Sequence, residues 1–517
     1  MPPIIGLDFG NFNTYACFIS DFDTGTRIGG VVRDLLPPRL PDGIPSIYFY
    51  SKRVGPLLGE NAAKSRAVPL ENRLRYLKRH LGETTTLDDR EISYDDAITQ
   101  VIQHCVRVAN SQLEKGWLET TNLLSLAYPA TYTFAQRQRL VELAERATLE
   151  DGRKLSVFGT IAEPAAAALD YLSEYAKEDQ ETTVLTYDLG GGTFDLALVT
   201  VYPKGKTNAA GNTYYYDVIS TRGLPRVGGS EFDGVLYRLL RSKLAPGTWE
   251  SMSENEHWAL WNLVEPTKVE LSAADEAFPQ LLIDGDYLDV SVTRTEFEAA
   301  SKELLMQTVL ATKEILQDHA NQKPKVILLT GGASQMPMVQ EALKRELPEY
   351  RDKIVYFRPS RAIAFGAARY GTSESNEDPA AAGTGIIQQR VMYDLGVRYF
   401  ASVDDQVGHI LPYIKAGTEI PLYGKFYGSR TLYEKQSYSR FRVYEANKEH
   451  PDNMKPDQDW TEIMSVEVSY GSPVPVGTTS ESRLNVDKRG IISIEARRTD
   501  VPDAPLVESH VQLRNLS

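Results

Sequence analysis

Three consecutive glycines, Gly190, Gly191 and Gly192, interrupt the stretch VLTYDLGGGTFDLALVTV between Val184 and Val201. The flanking residues are apolar, β-branched and alternating, so the stretch predicts a β-hairpin. An ordinary two-residue hairpin turn needs only one or two glycines. A run of three frees the backbone from Cβ obstruction and lets several N–H groups point into one concavity, a nest for phosphate. Asp188 and Asp195 flank the run. Carboxylates repel phosphate alone but hold Mg²⁺ through its water shell. The turn therefore reads as a site for a magnesium-bound nucleotide, against the alternative of a structural hairpin with a solvated aspartate.

The pattern recurs. IIGLDFGNFNT places Asp8 and Gly10 in the same strand–turn–strand setting, about 180 residues earlier. VILLTGGASQMP puts Gly331 and Gly332 between an apolar strand and a helix, where backbone N–H groups and a helix N-terminus meet phosphate. Two such hairpins suggest two related lobes that share a cleft. No G-x-x-x-x-G-K-[ST] stretch occurs, which argues against a P-loop enzyme. The nearest approach to G-x-G-x-x-G, GTGIIQ at Gly383, lacks the third glycine and falls in a linker-like segment.

A chain of 517 residues is too long for one core. Strands and helices alternate to about Gly371, an α/β pattern. Gly371 to Gly385 is rich in Gly, Ala, Ser, Pro and acids, as linkers are. From Val391 onward the helical period vanishes and short alternating runs predict a β-sandwich, with Gly490 at a hairpin corner. The expected domains are residues 1–372, 373–390 as linker, and 391–517. The net charge of −14 argues against nucleic acid and anionic membranes as partners. No apolar run approaches the ~20 residues of a membrane span. Two cysteines cannot build a disulfide framework, and MPPIIGLDFGNF is no secretory signal, so the expectation is a cytoplasmic protein.

The order and wording of these segments resemble the seventy-kilodalton heat-shock chaperones, the DnaK type, within the actin and sugar-kinase ATPase superfamily. GLDFG, LLGENAAKSR, YLKRHLG, YPATYTFAQRQ, IAEPAAAAL, YDLGGGTFDLALV, VGGSEFD, TKVELS and LLTGGASQMPMV stand in family order over residues 4–370. YDLGV, ILPYIKAGTEIP and RLNVDKRGIISIEA resemble the start of the family's peptide-binding sandwich. The resemblance implies a two-lobed actin-like α/β ATPase domain followed by an all-β sandwich. The family's helical lid is not expected, because the chain ends at Ser517 soon after the last recognisable strand.

Carried over residue by residue, the resemblance implies catalytic roles for Asp8, Lys78, Glu163, Asp188 and Thr193. Asp8 and Asp188 stand near Mg²⁺ through water, and Glu163 orders that water. Lys78 stands beside the γ-phosphate; by spacing alone it reads as a solvated lysine among Arg75, Arg79 and His80. Gly10, Asn11, Phe12, Gly190, Gly191, Gly192, Gly228, Gly229, Gly331 and Gly332 fall on turns that contact phosphate or nucleoside. Glu265, Lys268 and Ser272 fall on the helix against the adenosine. Pro129 and Arg137 match a proline switch that couples nucleotide state to the second domain. The implied cofactors are ATP or ADP with Mg²⁺, and K⁺ is a further candidate ion.

Departures from the family pattern concentrate on the nucleotide. Val269 and Gln335 stand where the family stacks adenine between two arginines. Asn11 and Phe12 replace two threonines, and Ser360 replaces an aspartate. Gly159 stands where an arginine often receives a J-domain co-chaperone, which puts such a partner in doubt. In the sandwich, Ile410 and Leu432 are expected to arch over a bound peptide and Phe441 to line its floor.

Two readings follow. One is an ATP-dependent chaperone-like protein that hydrolyses ATP to ADP and phosphate and binds unfolded or extended polypeptide segments. The other is a nucleotide-binding scaffold with little ATPase activity that holds one dedicated protein partner. A small-molecule kinase of the same superfamily fits less well, because the sandwich resembles a peptide-binding module.

Overall fold

The computed structural model describes residues 2–20, 31–64, 72–177, 179–203, 215–283, 286–375, 386–446, 454–456, 459–487 and 490–510. The first lobe is a six-stranded sheet built on the hairpin Ile5–Phe9 and Asn13–Ile19. Strands Leu123–Tyr128 and Ser156–Ala162 extend it in parallel on one side, and Val32–Asp34 extends it antiparallel on the other. The second lobe repeats this order. Thr182–Leu189 and Phe194–Val201 form the hairpin predicted around the three glycines. Val326–Thr330 and Ile354–Tyr356 add in parallel, and Tyr215–Leu224 adds antiparallel. The parallel strands read as continuous apolar runs because both faces of each sheet are covered.

The helix Glu163–Tyr175 follows a strand directly, with Pro164 in its first turn, where a missing N–H costs nothing. The helix Ala362–Ser375 crosses it closely. A Cβ on Gly366 would fall 1.8 Å from the Ala166 carbonyl oxygen, so only glycine fits this crossing. Each lobe keeps its own core, one around Leu7, Leu126 and Ala166, the other around Leu185, Phe232 and Val339. Cys17 and Cys105 are buried and free. No helix among the described residues is long and apolar enough to cross a membrane.

The segment read as linker is divided. Helix Ala362–Ser375 runs through its first residues, and residues 376–385 lie outside the described ones. Ile386–Arg390 is a strand, parallel to Tyr215–Leu224, and it makes the second lobe's sheet seven-stranded together with Glu419–Ile420. Arg390 fixes it there through a bidentate pair with Asp217 (2.9 and 3.0 Å).

Beyond it lies the all-β unit. His409–Ile414, Leu395–Tyr399, Gln436–Ala446 and Trp460–Val474 form a four-stranded sheet. A second sheet is built on Thr479–Val486, Ile492–Arg498 and Val507–His510, and the two sheets enclose Val397, Phe441, Val466, Leu484 and Ile494. Gly490 has φ +73° next to the Thr479–Val486/Ile492–Arg498 hairpin, as its corner role requires; residues 488–489 lie outside the described ones. Phe134, from the first domain, is part of this core.

Candidate active site

Asp8 stands near the end of the first lobe's leading strand and Asp188 at the same place in the second. Register sets Asp188 directly opposite Asp195 across the glycine hairpin. These hairpin turns, together with the Gly331–Gly332 turn, enclose a cleft of about 520 Å³ between the lobes. Asp8, Lys78, Glu163, Asp188 and Thr193 all line it. So do Gly10, Asn11 and Phe12 from the first turn, and Gly190, Gly191, Gly192 and Gly229 from the second. Glu265, Lys268, Ser272, Gly331, Gly332 and Gln335 complete the far end. Gly228 is one step behind, packed on the backbone of Gly192 and Thr193. Ile410, Leu432 and Phe441 belong to the other domain and are not brought to this cleft.

Lys78 is 3% exposed and not the solvated lysine that spacing suggests. Its ammonium donates to Glu163, itself 7% exposed. A buried ammonium persists because a carboxylate faces it. Lys268 is similarly tied down, to Asp233 at 2.6 Å and to the Gly229 carbonyl at 3.1 Å. Gly331 has φ +80°, and a Cβ there would fall 2.5 Å from an Asp188 oxygen, so this turn approaches the carboxylate only as glycine.

The acidic groups are held in an unusual state. Burial, then the charge of Glu163, raises Asp8 to about 7, with Lys78 pulling the other way. Asp195 is also raised to about 7, by burial and then Glu163. Asp188 is pushed well above the carboxylate range by burial and by Glu163, Asp195 and Asp8. Asp188 Oδ1 and Asp195 Oδ2 are buried without a hydrogen-bond partner among the described residues. Crowded carboxylates with orphaned oxygens suit a hydrated divalent cation, which supplies the missing positive charge. No three His, Cys, Asp or Glu side chains among the described residues are grouped to ligate a metal directly.

Asn11 and Phe12 bring the first lobe directly against the second. A Cβ on Gly191 would fall 2.1 Å from the Phe12 ring, and one on Gly192 2.1 Å from the Asn11 amide. The first-lobe turn thus rests directly on the glycine nest. Phe12 meets Tyr76 edge to face at 5.1 Å. Arg79 spans the lobes as well, donating to the Gly192 carbonyl and, at 2.8 Å from each of two nitrogens, to Glu231. At the far end of the cleft, Val269 is 63% exposed and Gln335 is exposed, and neither offers a guanidinium face.

Reading the residues grouped Asp195 with Asp188 as a carboxylate flanking the glycines but gave it no catalytic role of its own. The signal lay in the strand register: cross-strand partners point to the same face. Asp195 also starts a contact path toward the second domain. It accepts from the Thr131 N–H at 3.0 Å. The next residue, Tyr132, donates its hydroxyl to the Lys78 carbonyl (2.9 Å) and its N–H to the Pro129 carbonyl (3.0 Å). Two residues on, Phe134 enters the sandwich core. Arg137 lies over the Tyr128 and Phe134 rings, donates to the Tyr128 hydroxyl at 2.9 Å, and packs on Gly490 of the sandwich.

In the sandwich, Ile410 is 2% exposed and packs with Tyr444, Ala446 and Trp460, and Phe441 is inside the main core. Leu432 is half-buried, next to the exposed Tyr433.

A family model described as Hsp70 protein matches residues 91–509 of the chain.

Proposed function

The chain belongs to the Hsp70 family and is a chaperone-type ATP-binding protein, and on that premise we propose that it hydrolyses ATP in the cleft between its lobes and couples the nucleotide to its β-sandwich. The observation that carries this reading is the convergence of Asp8, Lys78, Glu163, Asp188 and Thr193 on one cleft beside a glycine nest. The N–H groups of Gly191 and Gly192 make no backbone hydrogen bond among the described residues and are free to hold phosphate oxygens. Lys78, oriented by Glu163, presents its ammonium to the terminal phosphoryl group. Asp8 and Asp188 fix the position of the attacking water. Its oxygen bonds to the γ-phosphorus as the bridging oxygen leaves with ADP, and the water proton passes to a carboxylate poised near neutrality. Magnesium, when bound, offsets the charge of the phosphates.

The proposed ligand of the sandwich is an extended polypeptide segment. Phe400 and Val403, on the loop after Leu395–Tyr399, are 42% and 51% exposed. The Tyr433 hydroxyl reaches the Val403 carbonyl at 3.5 Å, so exposed side chains of the two segments lie side by side there. They take over the contact role expected of Ile410 and Phe441. Peptide-array binding by Phe400→Ser and Tyr433→Ser tests this; undiminished binding by both rejects it.

A second reading, a scaffold that holds nucleotide with little turnover, is favoured by the exposed Val269 and by Phe12 lying on the nest. Single-turnover conversion of ATP with Mg²⁺, in wild type and Lys78→Ala, separates the two. Conversion that collapses in the variant supports the ATPase. Tight binding without conversion supports the scaffold.

A further inference from the structure

The N–H groups of Gly191, Gly192 and Thr193 make no backbone hydrogen bond among the described residues, whereas the carbonyls just before them all have donors. Gly190 accepts from the Gly229 N–H and Gly191 from the Ser230 N–H, each at 2.9 Å. Both donors stand in the first turn of the helix Gly229–Ser242, in the second lobe. Gly192 accepts from Arg79. Each carbonyl shares a trans peptide with the N–H of the next residue, and across such a plane the two point in opposite directions. Drawing three successive carbonyls back therefore turns the N–H groups of Gly191, Gly192 and Thr193 the other way, toward the cleft that these residues line.

The three anchors differ in origin. Two come from the lobe that carries the glycines. The third comes from the other lobe, on the short helix Leu77–His80, directly after Lys78. Among the described residues that line the cleft, Arg79 is not one, so its guanidinium meets the backbone of the nest from behind. Glu231, in the second lobe, holds it there through two nitrogens at 2.8 Å each. The Nη2 group carries two hydrogens and serves both the carboxylate and the Gly192 carbonyl. A rigid planar fork suits this double task, which a flexible point charge performs less well.

We propose that Arg79 is a positioning residue that completes the phosphate nest across the lobe boundary. With the lobes closed, Arg79 holds the Gly192 carbonyl back and Thr193 presents its N–H to a phosphate oxygen. With the lobes apart, the peptide between Gly192 and Thr193 loses that hold, and the nest keeps only the N–H groups that the second lobe fixes by itself. Phosphate binding and lobe closure thus favour each other. This rests on the nucleotide reading above and extends it to a residue that acts on the ligand through the backbone.

The test is calorimetric titration of the full chain with two probes: β,γ-imido-ATP with Mg²⁺, and adenosine, which has the nucleoside but no phosphate. Arg79→Ala is expected to weaken the triphosphate about tenfold, the scale of one hydrogen bond to a charged group, and to leave adenosine within a factor of about two. Equal weakening of both probes would mean a general disturbance of the cleft and overturns the proposal, as does an unchanged triphosphate affinity. Glu231→Gln, a milder change to the same clasp, should weaken the triphosphate with the same selectivity. The double variant should be no worse than Arg79→Ala, because Glu231 acts through Arg79; losses that multiply overturn the proposal. Arg79→Lys keeps the charge without the fork and should recover only part of the loss. Full recovery would show that charge alone draws the phosphates in, and overturns it too. If the wild type binds neither probe, the nucleotide reading falls and takes this proposal with it. If the wild type binds both and Arg79→Ala matches it, the reading stands and only the role of Arg79 falls.

Discussion

The backbone N–H of Phe134 is aimed at the carboxylate of Glu445, which lies 311 residues further along the chain, at 2.9 and 3.1 Å from its two oxygens. Phe134 opens the helix Phe134–Arg146 in the first domain, and Glu445 is on a strand of the sandwich. One domain therefore supplies the anion that the other's helix N-terminus favours. Thr133 and Gln136 complete a capping box at the same helix end.

Burial of Glu445 at this contact is expected to make docking of the two domains sensitive to pH. Burial raises Glu445 to about 7 from 4.5, against the opposing pull of the Phe134 N–H and Arg137. An acid whose value is higher when docked takes up a proton on docking, so docking is favoured as pH falls. The change spans the interval between those two values. From pH 8 to pH 6 the docked population should gain about tenfold in its equilibrium. Energy transfer between dyes on the two domains measures it. Glu445→Gln should flatten the profile, and a flat profile in the wild type would falsify the assignment.

Lys78 and Glu163 make a buried pair, so losing one partner should cost more than losing both. Lys78→Ala leaves a carboxylate buried beside other carboxylates and is expected to lower stability by about 3–5 kcal/mol. Lys78→Met with Glu163→Gln should lose clearly less. Urea unfolding of the three proteins decides; equal losses in the two variants would show that an unpaired Glu163 charge is not what costs stability.

A methyl group on Gly191 meets the Phe12 ring. Gly191→Ala is therefore expected to hold the lobes apart and weaken nucleotide binding by about tenfold, the scale of an overpacked contact. Adding Phe12→Ala removes the obstacle and should recover most of the affinity. Calorimetric titration with ADP and Mg²⁺ reads both steps. If the second change gives no recovery, the clash is not with Phe12.

Asp195 is expected to matter for turnover rather than binding. Asp195→Asn keeps its size and its acceptor for the Thr131 N–H but removes the charge that register sets directly opposite Asp188. Single-turnover hydrolysis should fall by about a hundredfold or more, with ADP affinity within a factor of about two. A variant that hydrolyses ATP normally would remove Asp195 from the reaction.

Much of this architecture is local in origin and hence readable from the chain. The glycine run and its flanking alternation specify a hairpin wherever they occur. Pro164 followed by strong helix formers starts a helix. The loss of helical period after Val391 marks the all-β unit. Each signal depends on residues a few positions apart. The family resemblance supplied what spacing did not: by spacing alone Lys78 is one more surface cation.

The remainder depends on distance through space. Local patterning along the chain specifies the two hairpins, their repetition, the change to an all-β unit and the residue types available to a phosphate cleft. Packing of the assembled chain is what buries Lys78 against Glu163, 85 residues away, turns Ile410 and Phe441 inward, and joins Ile386–Arg390 to the second lobe's sheet. The physical reason is burial. Which side of a strand or helix meets a core is a property of the assembled lobes, and it sets whether a lysine is solvated or paired and whether a carboxylate stands near 4 or near 7.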